Sequence, residues 1–499
     1  MTADHSLPLR RRDWLHAAGA LGLLPLTLGL SQRARASGTD DYRALICIFL
    51  QGGNDAFNTV LATDAPSWQA YQTARAASEG DVRLLAPGQA PQTGAASLHA
   101  RLGGVLPIRP RTAHTGRNFA LHPCLREAAS LFQQGRLGIV ANLGAVVGPT
   151  SKADWLAGRV PRPPRLFSHN DQQAFWQTLA PEGAQPGWGG RLVERAGAGV
   201  HALAAVSTAG RWAWTQGDSV TGYQMPGATP VAVGSGGRLL GSAAAQQTLQ
   251  ELMRRSRSGH LIEQEHAAVA DRSLRAEAWL RQALPAPDAG PWGSVATGRP
   301  DPLLRWTSPV SGTVATNPIA AQLQTVARFI AARQTLGVGR QVFFVGLNGF
   351  DTHAQQAERH ADLLAQLDHA LAYLDRTLQA MGVDRQVTTF TASDFGRTLA
   401  SNGNGTDHGW GGHALVMGGS VRGGEIHGRF PRYGLPLASG DFDSEDLWRG
   451  GVMIPSLGLE PFIATLGRWL GVPEAELPAM LPQLARWPAA QQLLDLWSA

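Results

Sequence analysis

The chain has 499 residues, a formal net charge of +5 and two cysteines, Cys47 and Cys124. This length allows a large buried core, whereas two cysteines cannot supply the four ligands that an iron–sulfur cluster usually needs. Because five arginines and two aspartates lie within residues 1–36, the rest of the chain carries a charge of about +2, with no basic stripe of the kind that binds nucleic acid.

The N-terminus has the three parts of an export signal. Residues 10–15 (RRRDWL) place two arginines before an aromatic residue and a leucine, and an apolar run follows over residues 17–30. That run is too short to span a bilayer, and residues 34–36 (ARA) suit a signal peptidase. We expect cleavage after residue 36 and export by the twin-arginine machinery to the periplasm or beyond. The alternative is a basic anchor that stays attached.

The first two strands are predicted from short apolar runs. Residues 44–50 (ALICIFL) are typical of a strand buried on both faces of a parallel sheet, and they are followed by a glycine-rich turn, QGGND. Residues 137–141 (LGIVA) predict a second strand, which follows a helix over residues 124–134. Cys47 lies within the first run, where it behaves as a small buried apolar residue.

The middle of the chain, from about residue 200 to 315, is rich in Gly, Ala, Ser and Thr. It has a helical pattern over residues 244–284, and the short alternation over residues 213–233 predicts a hairpin. We expect this region to be a cap inserted into a single domain that covers residues 37–499.

A strand, a helix and a strand come next. Residues 341–346 (QVFFVG) and 386–391 (QVTTFT) predict the strands, and the helix between them has apolar residues at 3–4 spacing from Leu363 to Met381. Another helix, over residues 318–336, precedes this unit. A strand–helix–strand unit of this length indicates a parallel crossover, so we predict an α/β fold with a doubly wound, mostly parallel sheet.

Carboxylates and imidazoles follow the first, third and fourth of these strands and recur in a later glycine-rich loop. Open parallel sheets bind ligands beyond the carboxyl ends of their strands, and such groups crowd together favourably only around a cation. Oxygen ligands with some imidazole suit Zn, Mn or Ca. Taken singly, each residue has a turn or a helix cap as its alternative role. The candidate metal ligands are Asp55, Asp351, His353, Asp394, Asp407, His408 and His413.

A hydrolytic metal site also needs a nucleophilic side chain or an activated water. Ser168 lies where a helix begins, so its hydroxyl and the nearby N–H groups can face an anion, although it could merely cap that helix. Thr59 and Ser151 are weaker alternatives. His169 is a candidate ligand, proton donor or packing residue. Arg397 is a candidate anion clamp, because its guanidinium is planar and always charged.

Seven short stretches of the chain resemble the exported bacterial family known as domain of unknown function 1501. They cover most of the chain after the export signal, and the stretches around Asp394 and His408 are the most specific. The seven are residues 49–55 (FLQGGND), 121–123 (LHP), 166–173 (LFSHNDQQ), 349–353 (GFDTH), 391–398 (TASDFGRT), 404–412 (NGTDHGWGG) and 421–424 (VRGG).

That family is similar to the alkaline phosphatase-like superfamily, which includes sulfatases, phosphodiesterases and cofactor-independent phosphoglycerate mutases. The resemblance implies an alkaline phosphatase-like fold. It also implies that Asp55 and Asp394 would bind one metal and that the other would be bound by Asp351, His353 and His408. Phe395 departs from the superfamily, which often has histidine at this position. One metal and two metals therefore both stay open.

Two function classes follow from the sequence. The first is an exported, metal-dependent hydrolase that acts on an anionic phosphate or sulfate ester. The second is a non-catalytic envelope protein that keeps the site to bind a ligand. A redox enzyme is disfavoured by the two cysteines and by the lack of a convincing dinucleotide fingerprint.

Overall fold

The structure, a computed structural model, describes residues 41–76, 81–198, 201–230, 232–234, 237–255, 259–294 and 301–498. The predicted export signal, residues 1–36, lies outside these ranges. None of the helices within them is long and apolar enough to cross a membrane.

A nine-stranded sheet is the centre of the fold. Its strands are β1 (Arg43–Gln51), β2 (Leu137–Gly144), β3 (Ala205–Ser207), β4 (Tyr223–Gln224), β5 (Arg340–Asn348), β6 (Val387–Ser393), β7 (Gly412–Met417), β8 (Ile426–His427) and β9 (Leu457–Gly458).

The strand order is β8-β2-β7-β6-β1-β5-β3-β4, and β9 also pairs with β2. Only β7 runs antiparallel to its neighbours, β6 and β2. The other pairings are parallel. The carboxyl ends of β1, β2, β5 and β6 therefore lie at one edge of the sheet, and β7 begins there.

Helices cover both faces of the sheet. Alternate residues of β1 enter different layers, with Ile46 and Ile48 in one and Cys47 and Phe49 in the other. The first layer contains Arg126–Gln133, Pro318–Ala331 and Gln356–Ala380, and the second contains His169–Thr178, Trp188–Val193 and Leu459–Leu470. The remaining α-helices are Ala56–Thr59, Ala65–Ala74, Leu98–Leu102, Lys152–Leu156, Ala243–Arg254, Leu261–Ala283, Arg333–Leu336 and Leu477–Met480.

Smaller sheets surround the central one. A hairpin of Arg397–Ser401 and Thr406–His408 extends from the carboxyl edge, directly after β6. The others are a three-stranded sheet and two pairs, formed by Val60–Ala62, Leu106–Ile108 and Phe119–Leu121; by Arg305–Thr307 and Val314–Thr316; and by Leu447–Trp448 and Val452–Met453.

The four long strands predicted from apolar runs are confirmed as β1, β2, β5 and β6, and the crossover helix between the last two is Gln356–Ala380. The sheet is mixed but mostly parallel, as predicted. Cys47 is buried in β1.

The hairpin predicted over residues 213–233 is wrong for the part of it that the structure describes. Ala213–Thr215 is a 3₁₀ turn, and Tyr223–Gln224 pairs in parallel with Ala205–Ser207 at the edge of the central sheet. Two parallel strands need no tight turn between them. The alternation of residue types over this stretch therefore does not indicate a hairpin. The predicted helical region contains Ala243–Arg254 and Leu261–Ala283.

Candidate metal centre

The carboxyl edge of the sheet brings residues from four separated segments together. Asp351 and His353 follow β5, and Asp394 follows β6. His408 ends the second strand of the hairpin, and His169 begins the helix His169–Thr178. Each segment therefore ends or begins at the same edge.

The donor atoms of three of these residues converge. The ligand atoms of His169, Asp351 and His408 lie within 4.8 Å of one another. The Asp351 Oδ1 atom is 3.6 Å from His169 Nε2, 3.3 Å from His408 Nε2 and 3.1 Å from His353 Nε2. His353 Nε2 is also 2.9 Å from His408 Nε2. Ring nitrogens of His169 and His408 and one carboxylate oxygen of Asp351 thus converge, and His353 lies beside this group, next to Asp351 and His408.

The other nitrogen of each imidazole faces an acceptor. His169 Nδ1 is 2.7 Å from Asp394 Oδ2, and His408 Nδ1 is 2.7 Å from the Phe167 carbonyl oxygen. His353 Nδ1 is 3.4 Å from a carboxylate oxygen of Asp407. An N–H on Nδ1 leaves Nε2 with its lone pair, and metal-binding histidines are oriented in this way.

Asp394 is held in place from three directions. Its side chain is fully buried, and Oδ2 accepts from the Gln173 amide at 2.8 Å as well as from His169. Oδ1 accepts from the Gly52 N–H at 3.2 Å. Gln173 lies one helical turn after His169, on the same face. Asp394 therefore orients His169, while its own oxygens are already engaged.

Phe395 supports two of the imidazoles. Its ring centroid lies 4.9 Å from that of His169 and 4.6 Å from that of His408, and the residue is buried. The chain thus has an apolar ring beneath the two histidines.

The pKa values at the centre follow from these contacts. Burial raises the pKa of the Asp351 carboxyl, but the hydrogen bond and charge of Arg397 outweigh it and lower the pKa overall. The hydrogen bond to Asp394 raises the pKa of His169. Burial lowers the pKa of His408. Asp351 is therefore an anion at neutral pH, and His408 is neutral.

Arg397, the predicted anion clamp, is fully buried and directs its guanidinium inward. Nε donates to the Gly53 carbonyl at 2.9 Å, and Nη1 donates to the Thr406 carbonyl at 2.8 Å. Nη2 donates to Asp351 and to the carbonyls of Gly52 and Phe350. The side chain joins the loops after β1 and β5 to the hairpin, so its contacts are those of a residue that positions Asp351.

Asp55 is paired with an arginine. Arg75 Nη1 and Nη2 donate to its two oxygens at 2.6 and 2.8 Å, and both side chains are fully buried. Gln356 Nε2 donates to Oδ2 at 2.5 Å. Burial raises the pKa of Asp55, but the charge and hydrogen bonds of Arg75 outweigh it and lower the pKa. A guanidinium thus neutralises the carboxylate that the resemblance assigns to a metal.

His413 lies apart from the converging atoms. Its Nδ1 accepts from the Asn142 N–H at 3.0 Å, and its ring stacks on Phe430 with centroids 4.6 Å apart. Nε2 is buried and has no hydrogen-bond partner among the described residues. Burial lowers its pKa to about 3, so the ring is neutral.

The Ser168 hydroxyl donates a hydrogen bond to a carboxylate. Its Oγ donates to Asp171 Oδ2 at 2.7 Å, and it precedes the helix without a side-chain capping bond. Thr59 is buried and donates to the Asp55 carbonyl at 2.7 Å. Ser151 caps a different helix and donates to Asp154 at 2.6 Å.

Sequence reasoning missed three residues: Gln173, which holds Asp394, and Arg75 and Gln356, which hold Asp55. Gln173 had a signal, because it lies four positions after His169 on a helix. No spacing in the sequence indicates the roles of Arg75 and Gln356, since Arg75 comes from a separate helix. Gln356 also accepts from the hydroxyls of Thr352 and Thr406, at 3.2 and 2.6 Å.

The residues fit a divalent transition metal. A tetrahedral ion with bonds of about 2.0–2.1 Å separates its ligand atoms by roughly 3.3 Å. The distances from Asp351 Oδ1 to the three Nε2 atoms, 3.1, 3.3 and 3.6 Å, are close to that value. Three imidazoles and one carboxylate suit zinc better than calcium, which takes six to eight oxygen ligands.

Comparison with curated proteins gives no match. The sequence profile described as protein of unknown function (DUF1501) matches residues 42–478, from the start of β1 to beyond the last helix of the second layer. The predicted membership is confirmed, and the chain belongs to the DUF1501 family of proteins of unknown function.

Proposed function

We propose that the protein is a metal-dependent hydrolase of phosphate or sulfate esters. The observation that carries the proposal is the convergence of three Nε2 atoms, from His169, His353 and His408, on the carboxylate of Asp351. The order of these residues along the chain and the mostly parallel sheet support a relation to the alkaline phosphatase-like superfamily.

The proposed site holds one divalent metal. His169, Asp351, His353 and His408 would bind it, and Asp394, Asp407 and the Phe167 carbonyl would orient the imidazoles. When bound, such an ion supplies Lewis-acid polarisation of an ester oxygen at neutral pH. Asp55 takes no part, because Arg75 and Gln356 already satisfy its oxygens.

We assign the nucleophile to Ser168, which directly precedes His169. As its Oγ forms the new bond to phosphorus or sulfur, its proton passes to the Asp171 carboxylate. The bond to the leaving oxygen breaks, and Asp171 passes the proton to that oxygen, which departs as the alcohol. Water then hydrolyses the seryl ester and restores the hydroxyl. Ser168 stands at the N-terminus of His169–Thr178 and makes no side-chain capping bond there, and the first N–H groups of a helix favour an anion.

One observation favours a second candidate, a binding protein without catalysis. The Arg397 guanidinium donates hydrogen bonds to four carbonyls and to Asp351, so few of its N–H groups remain for a substrate anion. A protein that only binds a metal and a ligand needs no charge of this kind.

A matched pair of serine variants tests the hydrolase. Ser168 and Ser151 both precede a helix and donate to an aspartate three residues later. Ser168→Ala should lower ester turnover by at least about 10³-fold while metal content is unchanged. Ser151→Ala should keep wild-type turnover.

The screen uses aryl and alkyl phosphate and sulfate esters with the metal-loaded, full-length protein. Wild-type turnover by Ser168→Ala would refute Ser168 as the nucleophile. If the loaded wild type hydrolyses none of the esters, the hydrolase proposal fails and the binding protein replaces it.

We also propose export by the twin-arginine route, on the motif in residues 10–15. Replacing Arg11 and Arg12 by lysine keeps the charge but removes the planar guanidinium groups. The double variant should stay in the cytoplasm with residues 1–36 attached, as judged by fractionation and mass spectrometry. Normal export of this variant would refute the route.

A further inference from the structure

Two half-buried aromatic rings, Phe167 and Trp448, lie beside the candidate metal centre. Their planes are 19° from parallel, with centroids 6.3 Å apart. We call this pair the aromatic ledge. It adjoins the centre because the Phe167 carbonyl accepts from His408 Nδ1 at 2.7 Å, and Phe167 directly precedes the proposed nucleophile Ser168.

The ledge is backed by buried tryptophans. Trp155 meets Trp448 edge to face at 5.6 Å and contacts Trp410 at 4.6 Å. Trp410 is fixed by a hydrogen bond of 2.7 Å from its Nε1 to the Ala145 carbonyl. A ring platform with such support is ordered before any ligand arrives, which lowers the entropy cost of binding.

The backbone at Phe167 is also held in an unusual conformation. Its φ is 80°, a value that costs free energy for a residue with a β-carbon. This conformation allows the carbonyl to face His408 while the side chain stacks on Trp448. The distance between the ledge and the metal ligands is therefore set by the same residue.

The charges around the ledge favour an anionic ligand. The Arg162 guanidinium lies 5.0 Å from the Trp155 ring centroid. Arg165 is 78% exposed and only distantly paired, at 3.8 Å from Asp171, and Arg449 is exposed. The carboxylates nearby are already paired: Asp171 accepts from Ser168, Asp154 accepts from Ser151 and Arg159, and Asp407 faces His353 and Asn402.

We propose that the aromatic ledge binds a ring on the alcohol portion of the substrate, so that the substrates are esters of ring-bearing alcohols such as phenols or sugars. Rings of both kinds stack on tryptophan and phenylalanine faces through the same apolar contact. This inference rests on the proposed function, because it places the ester group at the metal ligands while the ring lies on the ledge.

Binding of non-hydrolysed probes tests the ledge independently of turnover. Calorimetry on the metal-loaded protein compares phenylphosphonate with methylphosphonate, or benzenesulfonate with methanesulfonate if the esters turned over are sulfates. A sugar arm compares glucose 6-phosphate with glycerol 3-phosphate on the Ser168→Ala variant. The wild type should bind the phenyl probe roughly three- to tenfold more tightly than the methyl probe, or the sugar arm should show this preference instead.

Substitutions test which residues produce the preference for ring-bearing probes. Trp448→Leu and Phe167→Leu should reduce the ring preference to about onefold, and Trp448→Phe should keep part of it. Trp497→Leu, which alters a stacked pair with Trp469 elsewhere, should leave the preference unchanged. If the protein hydrolyses esters but binds ring and non-ring probes with equal affinity, the proposed role of the ledge is refuted and the hydrolase proposal is kept. A ring preference without turnover of any ester would support the ledge and refute catalysis.

Discussion

Asp55 and Asp394 both follow strands of the central sheet, yet their partners give them different roles. Asp55 is neutralised by the bidentate guanidinium of Arg75. Asp394 instead accepts from His169, and so its negative charge favours the orientation that leaves Nε2 free. A buried carboxylate with a matched cation is inert, whereas one that faces an imidazole tunes a ligand.

The buried pair makes a prediction about stability. Arg75→Met should lower the free energy of unfolding by about 3–5 kcal/mol, because it leaves the Asp55 charge buried without a partner. The double variant Arg75→Met, Asp55→Asn should be less destabilised than Arg75→Met alone, since the charge is removed. Urea unfolding of the three proteins measures both effects. A double variant that is less stable than the single one would contradict the charge-compensated pair.

At this scale the sequence predicts which residues meet but not all of their roles. The sequence predicts that Asp351 and His353 lie together because they follow one strand of a parallel sheet, and it places His408 with them through a later glycine-rich loop. The pairing of Asp55 could not be foreseen, since no spacing rule connects it to Arg75. His413 follows the same glycine-rich loop, so the sequence predicts a ligand, but its ring lies against Phe430.

The turn after β1 shows how an element sets the geometry of the centre. Gly52 has a φ of 114°, and a β-carbon there would lie 2.3 Å from the Asp351 backbone nitrogen. Its N–H also donates to Asp394. Only glycine allows the loops after β1, β5 and β6 to approach this closely.

Two glycine variants distinguish the effect of this close approach on metal binding from the effect of backbone strain. Gly52→Ala should weaken metal binding by roughly 10- to 100-fold, because it displaces Asp351 and the N–H that holds Asp394. Gly337 also has a positive φ, 68°, but a β-carbon there meets nothing within 4 Å. Gly337→Ala should cost about 1 kcal/mol of stability and leave metal affinity unchanged. Equal metal affinities in the two variants, measured by titration, would show that the close approach is unimportant.

Long elements were predictable and short ones were not. β1, β2, β5 and β6 have seven to nine residues, most of them buried, and their apolar runs carry the signal. β3 and β4 have three and two residues. β3 pairs with β5, more than a hundred residues away in the chain, and β4 pairs with β3, so local alternation cannot indicate these pairings.

Across the whole molecule, burial keeps many histidines neutral. The pKa of His360 falls to about 4 and that of His413 to about 3. The histidines with a lowered pKa are His114, His122, His201, His360, His369, His408, His413 and His427. Two carboxyl groups have pKa values shifted in the other direction: burial raises the pKa of Asp368 and of Glu460 to about 7.

Acid should therefore destabilise the protein. A histidine whose folded pKa is lowered contributes stability that is present above the unfolded value of about 6.5 and is lost as the pH falls. The two raised carboxyls and His169, whose pKa is also raised, act in the opposite direction but are fewer. The free energy of unfolding should fall between pH 7 and pH 5 by roughly 1.4 kcal/mol per pH unit for each net proton taken up.

Urea unfolding at several pH values checks this expectation. Asp368→Asn should steepen the loss at low pH, because it removes an opposing group, and His122→Gln should reduce it. Stability that is constant or rises between pH 7 and pH 5 would contradict the account.

Metal content measured by mass spectrometry on protein recovered from its own export route tests the central claim most directly. The wild type should contain about one divalent ion per chain, Asp351→Asn should contain almost none, and Asp55→Asn should keep its ion, with circular dichroism confirming that each variant is folded. A folded Asp55→Asn protein that loses the metal, or a folded Asp351→Asn protein that keeps it, would contradict the site described above.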